Sequence, residues 1–345
     1  MTQYTVAVLG CGPRGDDHIW GFLSNPERFH LVGICDKDKE RLQRISAKYP
    51  IEALYTDGDQ MLSETKPDIF CFATLPAIRL PLIEMGLRHG VKAIAYEKPM
   101  ALSLQEAHAI TEKCRAAGVK TILAHAQKYG NHWLTVKEIV DRGDIGTVHT
   151  IHATAQAWLM QLGTHLIDYA LWYNGYSPID WVIGQAHGKG KLEDTHRSPE
   201  YVFAQLGFQN GVRGVIECGP QAPSFMDEAH FWVDDTVTLY GSHGYARVIT
   251  GNGWEAVTRH SGGRILKGPG KYFPLWDQPP YQRELADWLD SPAKSHCCNG
   301  EISYHGYQAA MAICISSIER RLVKLPLETI PEYDVFDKLG EVLPD

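Results

Sequence analysis

Residues 5–15 read Thr5-Val6-Ala7-Val8-Leu9-Gly10-Cys11-Gly12-Pro13-Arg14-Gly15. A compact apolar run stops at a glycine, the spacing GxGxxG follows, and a helical pattern begins. Alone, such a glycine string says little. Between a strand and a helix it is the signature of a dinucleotide-binding turn. The first glycine permits the tight turn, the second lets a pyrophosphate approach the backbone, and the third lets the helix pack closely on the strand. The helix N-terminus then offers unpaired N–H groups to the phosphates. Gly10, Cys11, Gly12, Pro13, Arg14 and Gly15 are therefore candidate cofactor contacts, with Arg14 adding a charge-assisted bond to phosphate. Asp16 and Asp17 suit the helix dipole and are expected to face solvent.

Further apolar runs occur at Leu31–Cys35, Asp68–Phe72, Ala93–Tyr96 and Lys120–Ala124. Near-continuous apolar strands belong to a parallel sheet covered on both faces. Helical spacing at Pro81–Leu87 and Leu104–Cys114 supplies crossover helices. The first part of the chain thus reads as α/β, a doubly wound Rossmann sheet. Asp36 closes the second run, 21 residues after Gly15. A carboxylate there accepts hydrogen bonds from the adenosine ribose hydroxyls and repels a 2′-phosphate, which favours NAD. Lys37 beside it leaves NADP possible.

Beyond about residue 147 the texture changes. A long strand-like segment, Val148–Trp158, precedes a helical stretch, Leu162–Tyr173. Strand-like runs follow at Trp181–Gln185, Tyr201–Phe208, Val212–Cys218, His230–Val233, Val237–Tyr240 and Ala246–Ile249. Without helices between them they predict a large open, mostly antiparallel sheet. Two late helices are expected near Tyr281–Leu289 and Ser303–Leu322. The division is then residues 1–125 for the nucleotide domain and 126–345 for an α+β domain serving substrate binding and oligomerisation. At roughly 150 residues per domain, the 345 residues fit two domains.

The formal charge of −8, with 41 acidic and 33 basic residues scattered along the chain, leaves no basic footprint for nucleic acid. No apolar run reaches the ~18 residues of a membrane span, and MTQYTVAVLG lacks the pattern of a secretory signal. The eight cysteines form no CxxC pair, which suits buried thiols in a reducing, cytoplasmic setting. His296-Cys297-Cys298 lacks the spaced ligands of a zinc site, so no metal is expected.

Lys98 in Tyr96-Glu97-Lys98-Pro99 follows the Ala93–Tyr96 strand, on the side of the sheet where a ligand crevice opens. Its amine can reach a hydroxyl or carbonyl undergoing redox chemistry. A second motif is Gln161-Leu162-Gly163-Thr164-His165-Leu166-Ile167-Asp168. Helical spacing would bring Gln161, His165 and Asp168 together, and a neutral imidazole near pH 7 is suited to proton exchange.

The glycine turn, the strand-end acid, the run Glu97–Ser103 (EKPMALS), the turn Asp144-Ile145-Gly146 and the distal Gly-x-His-x-Ile-Asp together resemble the glucose–fructose oxidoreductase / inositol dehydrogenase / rhizopine-catabolism family (Gfo/Idh/MocA) over most of the chain. The resemblance implies an oxidoreductase that moves a hydride between NAD(P) and a hydroxyl-bearing carbon of a sugar, cyclitol or sugar derivative. It implies that Lys98 hydrogen-bonds the reacting hydroxyl and that His165 exchanges its proton. Thr74 and Pro76 then lie near the cofactor ribose, and Glu97 near the nicotinamide riboside. Lys128, Tyr129, Trp158 and Gln161 become substrate contacts, with Trp158 offering an aromatic face, and the open sheet joins copies into a homodimer or homotetramer. Many family members carry aspartate four residues before the histidine; this chain has Gln161, which cannot take a proton. Two alternatives stay open: a glycosidase working by oxidation, elimination and reduction on tightly bound NAD, and a non-catalytic NAD-binding regulator.

Overall fold

The computed structural model describes residues 1–51, 53–226, 233–270, 274–291 and 293–344. They form two compact units. The first comprises Met1–Ala101, Glu106–Tyr129 and Phe273–Ser303; the second comprises Leu102–Gln105, Gly130–Tyr272 and Tyr304–Asp345.

In the first unit the chain runs β1 (Tyr4–Leu9), α1 (Pro13–Leu23), β2 (Phe29–Cys35), α2 (Lys39–Lys48), β3 (Leu54–Tyr55), α3 (Gly58–Thr65), β4 (Ile69–Phe72), α4 (Arg79–Arg88), β5 (Ala93–Tyr96), α5 (Leu104–Ala117) and β6 (Lys120–Leu123). Among the described residues the strands form one sheet in the order β3-β2-β1-β4-β5-β6, and every pairing is parallel. β4 and β5 are buried at every position, as helices on both faces require. The strand order reverses between β1 and β4, the switch point where doubly wound sheets bind ligands. The two-residue β3 is too short to show in a hydrophobic pattern.

The second unit begins with α6 (Asn131–Asp141) and continues through β7 (Val148–Ala155), α7 (Thr164–Tyr173), β8 (Ile179–His187), β9 (Tyr201–Phe208), β10 (Arg213–Cys218), β11 (Thr236–Gly241), β12 (Gly244–Ile249), β13 (Gly253–Val257) and β14 (Leu266–Gly268). The late elements are α8 (Pro274–Asp290), α9 (Gly300–Glu319), β15 (Val323–Lys324) and α10 (Val335–Val342). Nine strands are ordered β14-β13-β12-β11-β7-β10-β9-β8-β15 among the described residues. Among the described residues only β7 and β10 pair in parallel in this sheet; the other pairs are antiparallel. The strand expected at His230–Val233 falls almost wholly outside the described residues.

α8 belongs to the first unit although it comes late in the chain. Gly21 on α1 makes this possible, since a Cβ there would stand 2.8 Å from the Gln278 Cβ. The buried guanidinium of Arg28 then clamps the far end of α8, donating to Asp287 at 3.1 Å and Asp290 at 2.8 Å.

Candidate active site

The glycine turn links β1 to α1 at the switch point. Gly10 has φ +97°, and a Cβ on it would lie 2.3 Å from the Ala73 carbonyl oxygen beyond β4. Gly15 lies against β1 so closely that a Cβ would fall 1.7 Å from the Gly10 oxygen. Gly12 is different. Its backbone is ordinarily extended (φ −69°, ψ −176°), it caps α1 without any side-chain hydrogen bond, and Pro13 follows at the first helical position. A Cβ on Gly12 would meet nothing within 4 Å. This open space over an uncapped helix N-terminus suits a pyrophosphate. A second feature points the same way: the Thr74 hydroxyl, just past β4, is buried without a hydrogen-bond partner. The residues present therefore fit a dinucleotide.

Asp36 stiffens the turn from the end of β2. One carboxylate oxygen accepts the Cys11 N–H at 2.7 Å and the other accepts the Asp38 N–H at 2.9 Å. A carboxylate still has lone pairs for two ribose hydroxyls. Arg44 closes the ring by donating to the Cys11 carbonyl at 2.8 Å.

Asp16 and Asp17 depart from the solvent-facing expectation. Asp16 is held by Lys48 and Tyr49, each at 2.8 Å, and Asp17 by Arg14 at 2.8 Å. Each acid stays partly buried because a cation neutralises it. Arg14 also differs from expectation: besides Asp17, its guanidinium donates at 3.1 Å to the buried carboxylate of Glu97.

Glu97 is thus the hub of the first unit's polar network. The imidazole of His18, itself fully buried, lies 3.1 Å from the same Glu97 oxygen and 3.0 Å from the Gln282 amide. Burial alone would raise the Glu97 carboxyl; Arg14, His18 and Lys98 outweigh it and hold the carboxyl well below the usual range. Burial likewise lowers His18, but contacts with Cys71 and Glu97 push it up to about 10. Asp277 on α8 has no such relief: burial pushes its carboxyl up to about 8, with Arg14 opposing weakly.

Lys98 lies two residues past the end of β5. Its carbonyl accepts from Arg79 at 3.0 Å, and the same guanidinium nitrogen reaches the Thr74 carbonyl at 3.5 Å. Arg79 therefore ties together the two loops that leave β4 and β5. It is fully buried, its Nε and Nη1 have no partner, and burial lowers its guanidinium to about 10. A buried cation without a carboxylate partner is costly, which marks the position. Pro76 is buried at the start of the short turn leading to α4.

Lys128 and Tyr129 fall in a tight turn after β6. Lys128 is buried and donates to the Cys297 carbonyl at 3.1 Å. The Tyr129 hydroxyl meets Glu284 and the Cys297 thiol. Both residues anchor the late segment of the first unit. Donor atoms of His296, Cys297 and Cys298 cluster within 4.8 Å. His296 nevertheless engages both ring nitrogens, one accepting from the Cys298 N–H and one donating to the Tyr281 carbonyl, each at 2.9 Å. All eight cysteines are free thiols.

In the second unit β7 ends at Ala155, short of Trp158. Trp158 instead caps a π-helical turn, Leu159–Gly163, that feeds into α7. Gly163 is required there, because a Cβ would stand 2.8 Å from the Cys218 sulfur on β10. Such π-turns often occur at functional sites. The Lys191 ammonium lies 4.3 Å from the centre of the Trp158 ring, so one aromatic face already has an occupant. Gln161 lies inside the π-turn, while His165 and Asp168 lie on α7 and are buried. The regular helical spacing assumed for the three residues is therefore broken before His165. His165 Nδ1 instead lies 2.8 Å from the hydroxyl of Tyr169, one turn further along. Asp234 is also fully buried in this unit, with one oxygen accepting the Gln156 N–H at 2.9 Å.

Sequence reasoning missed Tyr169, Arg79, His18 and Asp277. Tyr169 was legible as the i+4 neighbour of His165. The others needed the packing of α1 and α8 and of the loops beyond β4 and β5.

No helix among the described residues is long and apolar enough to cross a membrane. Residues 4–125 match the model of an oxidoreductase family with an NAD-binding Rossmann fold, and residues 133–247 match the GFO/IDH/MocA C-terminal domain. A D-apiose dehydrogenase from Paraburkholderia graminis is 34% identical over 63% of this chain and 61% of its own length. A second D-apiose dehydrogenase, from Rhizobium rhizogenes, is 28% identical over 42% of each. The chain thus matches less than two thirds of the length of either. The inositol 2-dehydrogenase of Burkholderia lata is 24% identical over 89% of this chain and 91% of its own. Among solved structures, an oxidoreductase from Agrobacterium radiobacter in complex with NAD+, L-tartaric acid and magnesium superposes with a TM-score of 0.79 at 17% identity, covering 94% of this chain and 98% of that one. With both halves matched in order, and with a parallel six-stranded sheet carrying the glycine turn, the chain belongs to the Gfo/Idh/MocA oxidoreductase family and its N-terminal domain is an NAD-binding Rossmann domain.

Proposed function

We propose that the protein is an NAD-dependent dehydrogenase acting on a hydroxyl-bearing carbon of a sugar, cyclitol or sugar derivative. One observation carries this reading: Arg14 of the glycine turn donates at 3.1 Å to the buried carboxylate of Glu97, the residue next to Lys98 in the chain, so the cofactor seat is tied to the segment that carries the candidate reactive amine. The names of the curated relatives, apiose and inositol dehydrogenases, support the substrate class.

Bound NAD supplies the hydride acceptor. Gly10 to Gly15 seat the pyrophosphate, Asp36 takes the adenosine ribose hydroxyls, and Thr74 and Pro76 shape the neighbouring wall. The Asp36 carboxylate disfavours a 2′-phosphate, so NAD is preferred to NADP. Glu97 accepts from Arg14 and holds its guanidinium beside the glycine turn. Lys98 donates a hydrogen bond to the substrate oxygen and stabilises the negative charge that grows there. His165 accepts the hydroxyl proton at its imidazole. Gln161 contributes hydrogen bonding without charge, and Trp158 an aromatic face.

Copies of the chain are proposed to pair through the open sheet of the second unit. Its outer face exposes Ile183 and Tyr240 to 43% and 36%. A monomeric mass in light scattering would dispose of that.

The activity is tested by incubating the protein with NAD and a panel including D-apiose, inositols and glycosides, following NADH absorbance and analysing products. Stoichiometric NADH is expected. Aglycone release without net NADH would replace this reading with the oxidation–elimination–reduction cycle, and tight NAD binding with no turnover would leave a regulator.

A further inference from the structure

We infer that Tyr169 is a positioning residue that sets the proton-accepting nitrogen of His165, an inference that rests on the dehydrogenase reading above. His165 and Tyr169 are one turn apart on the regular helix α7, the spacing at which side chains meet. Nδ1 lies 2.8 Å from the tyrosine hydroxyl, and both residues are buried. The tyrosine has little freedom to move away. Its ring lies 4.4 Å from the ring of the fully buried Trp133, measured between centroids, and the Tyr173 hydroxyl donates to the Trp133 carbonyl at 3.0 Å.

The chemistry follows from the tautomers. A neutral imidazole can accept the substrate proton at Nε2 only when its own proton is on Nδ1. That Nδ1–H then donates to the Tyr169 oxygen. When the substrate O–H bond breaks, its proton passes to Nε2 and the imidazolium keeps the Nδ1–H bond to Tyr169; bound NAD would be the acceptor for the hydride leaving carbon. The proton returns to water as the product leaves. A phenol is neutral, so Tyr169 aligns the ring without the charge an aspartate would bring. Tyr169 meets the histidine from the C-terminal side, one turn further along α7.

The test uses the whole protein labelled with nitrogen-15 in histidine, with His165→Asn to assign the signal. The wild type should hold His165 as the Nδ1–H tautomer. Tyr169→Phe keeps the ring against Trp133 and removes only the hydroxyl; there the Nε2–H tautomer should appear. An Nε2–H tautomer in the wild type overturns the inference without any variant having to fold. An unchanged tautomer in folded Tyr169→Phe overturns it equally. With NAD and D-apiose, Tyr169→Phe should lower kcat about 10- to 100-fold while KM stays within about twofold. Full turnover by His165→Asn would refute the dehydrogenase role of His165, whereas the tautomer measurement would still decide what Tyr169 does.

Discussion

Replacing Gly12 by alanine separates fold from function at one atom. The backbone there is extended, with φ −69° and ψ −176°, and the added Cβ would have no neighbour within 4 Å. The free protein should tolerate it: the reduced freedom of the unfolded chain, about 0.4–1 kcal/mol, offsets the poorer N-cap that alanine makes. The methyl group would point into the space assigned to the pyrophosphate. Crowding a close contact costs about 1–3 kcal/mol, and losing the anion's approach to the helix N-terminus costs about 1 kcal/mol more. Together these weaken NADH binding by roughly 30- to 700-fold, at tenfold per 1.4 kcal/mol. Gly15→Ala is the control. Its Cβ would lie 1.7 Å from the Gly10 oxygen and 2.7 Å from the Gly10 carbonyl carbon, so α1 must shift away from β1 and the melting temperature must fall. The assays are titration calorimetry with NADH and thermal melting of both variants. A folded Gly12→Ala protein that binds NADH like the parent would refute the seat. A melting temperature lowered as far as in Gly15→Ala would show that Gly12 serves the fold.

Lys98→Ala should reduce turnover at least about 100-fold, and near-normal rates would remove the lysine from the chemistry. Arg79→Lys keeps a cation but removes the guanidinium nitrogen Nη2 that reaches both the Thr74 and the Lys98 carbonyls. NADH affinity should stay within about threefold while kcat falls about tenfold, and an unchanged kcat would show that the carbonyls hold their places unaided. The Asp277 carboxyl, pushed by burial to about 8 in the folded protein, ionises near 3.9 when unfolded. The folded state therefore binds the extra proton between those values, and stability declines as pH rises through that window. Asp277→Asn should gain melting temperature over the parent progressively from about pH 4 to about pH 8; parallel melting curves would mean that the carboxyl ionises freely in the fold.

Local signals made much of the first unit readable. The apolar run before Gly10 and the helical pattern after Gly15 depend on neighbours in sequence, and β1, α1 and the turn follow from them directly. Strands buried on both faces leave long apolar runs, so β2, β4, β5 and β6 were visible too. β3 was not, because two residues cannot display a period. In the second unit the strands were visible but their order was not, since alternation reports burial of a face and says nothing about which strand lies beside it. The parallel contact of β7 with β10 is such a case.

For the site, short motifs marked Lys98 and His165 as chemically apt, and the end of a strand 21 residues past Gly15 marked Asp36. Their partners came from distant segments. Glu97 lies 83 residues from Arg14, and Gln282 lies 264 residues from His18; no spacing rule connects them. The π-turn at Leu159–Gly163 interrupts the continuous helical pattern that the spacing suggests, and Tyr169 on the regular part of α7 lies beside His165. Sequence by itself determined which backbone elements form and which side chains carry reactive groups, because those depend on short-range sterics and periodic burial. Tertiary structure alone decided which charges face one another, Arg14 and His18 across the Glu97 carboxylate among them, because electrostatics act through space rather than along the chain.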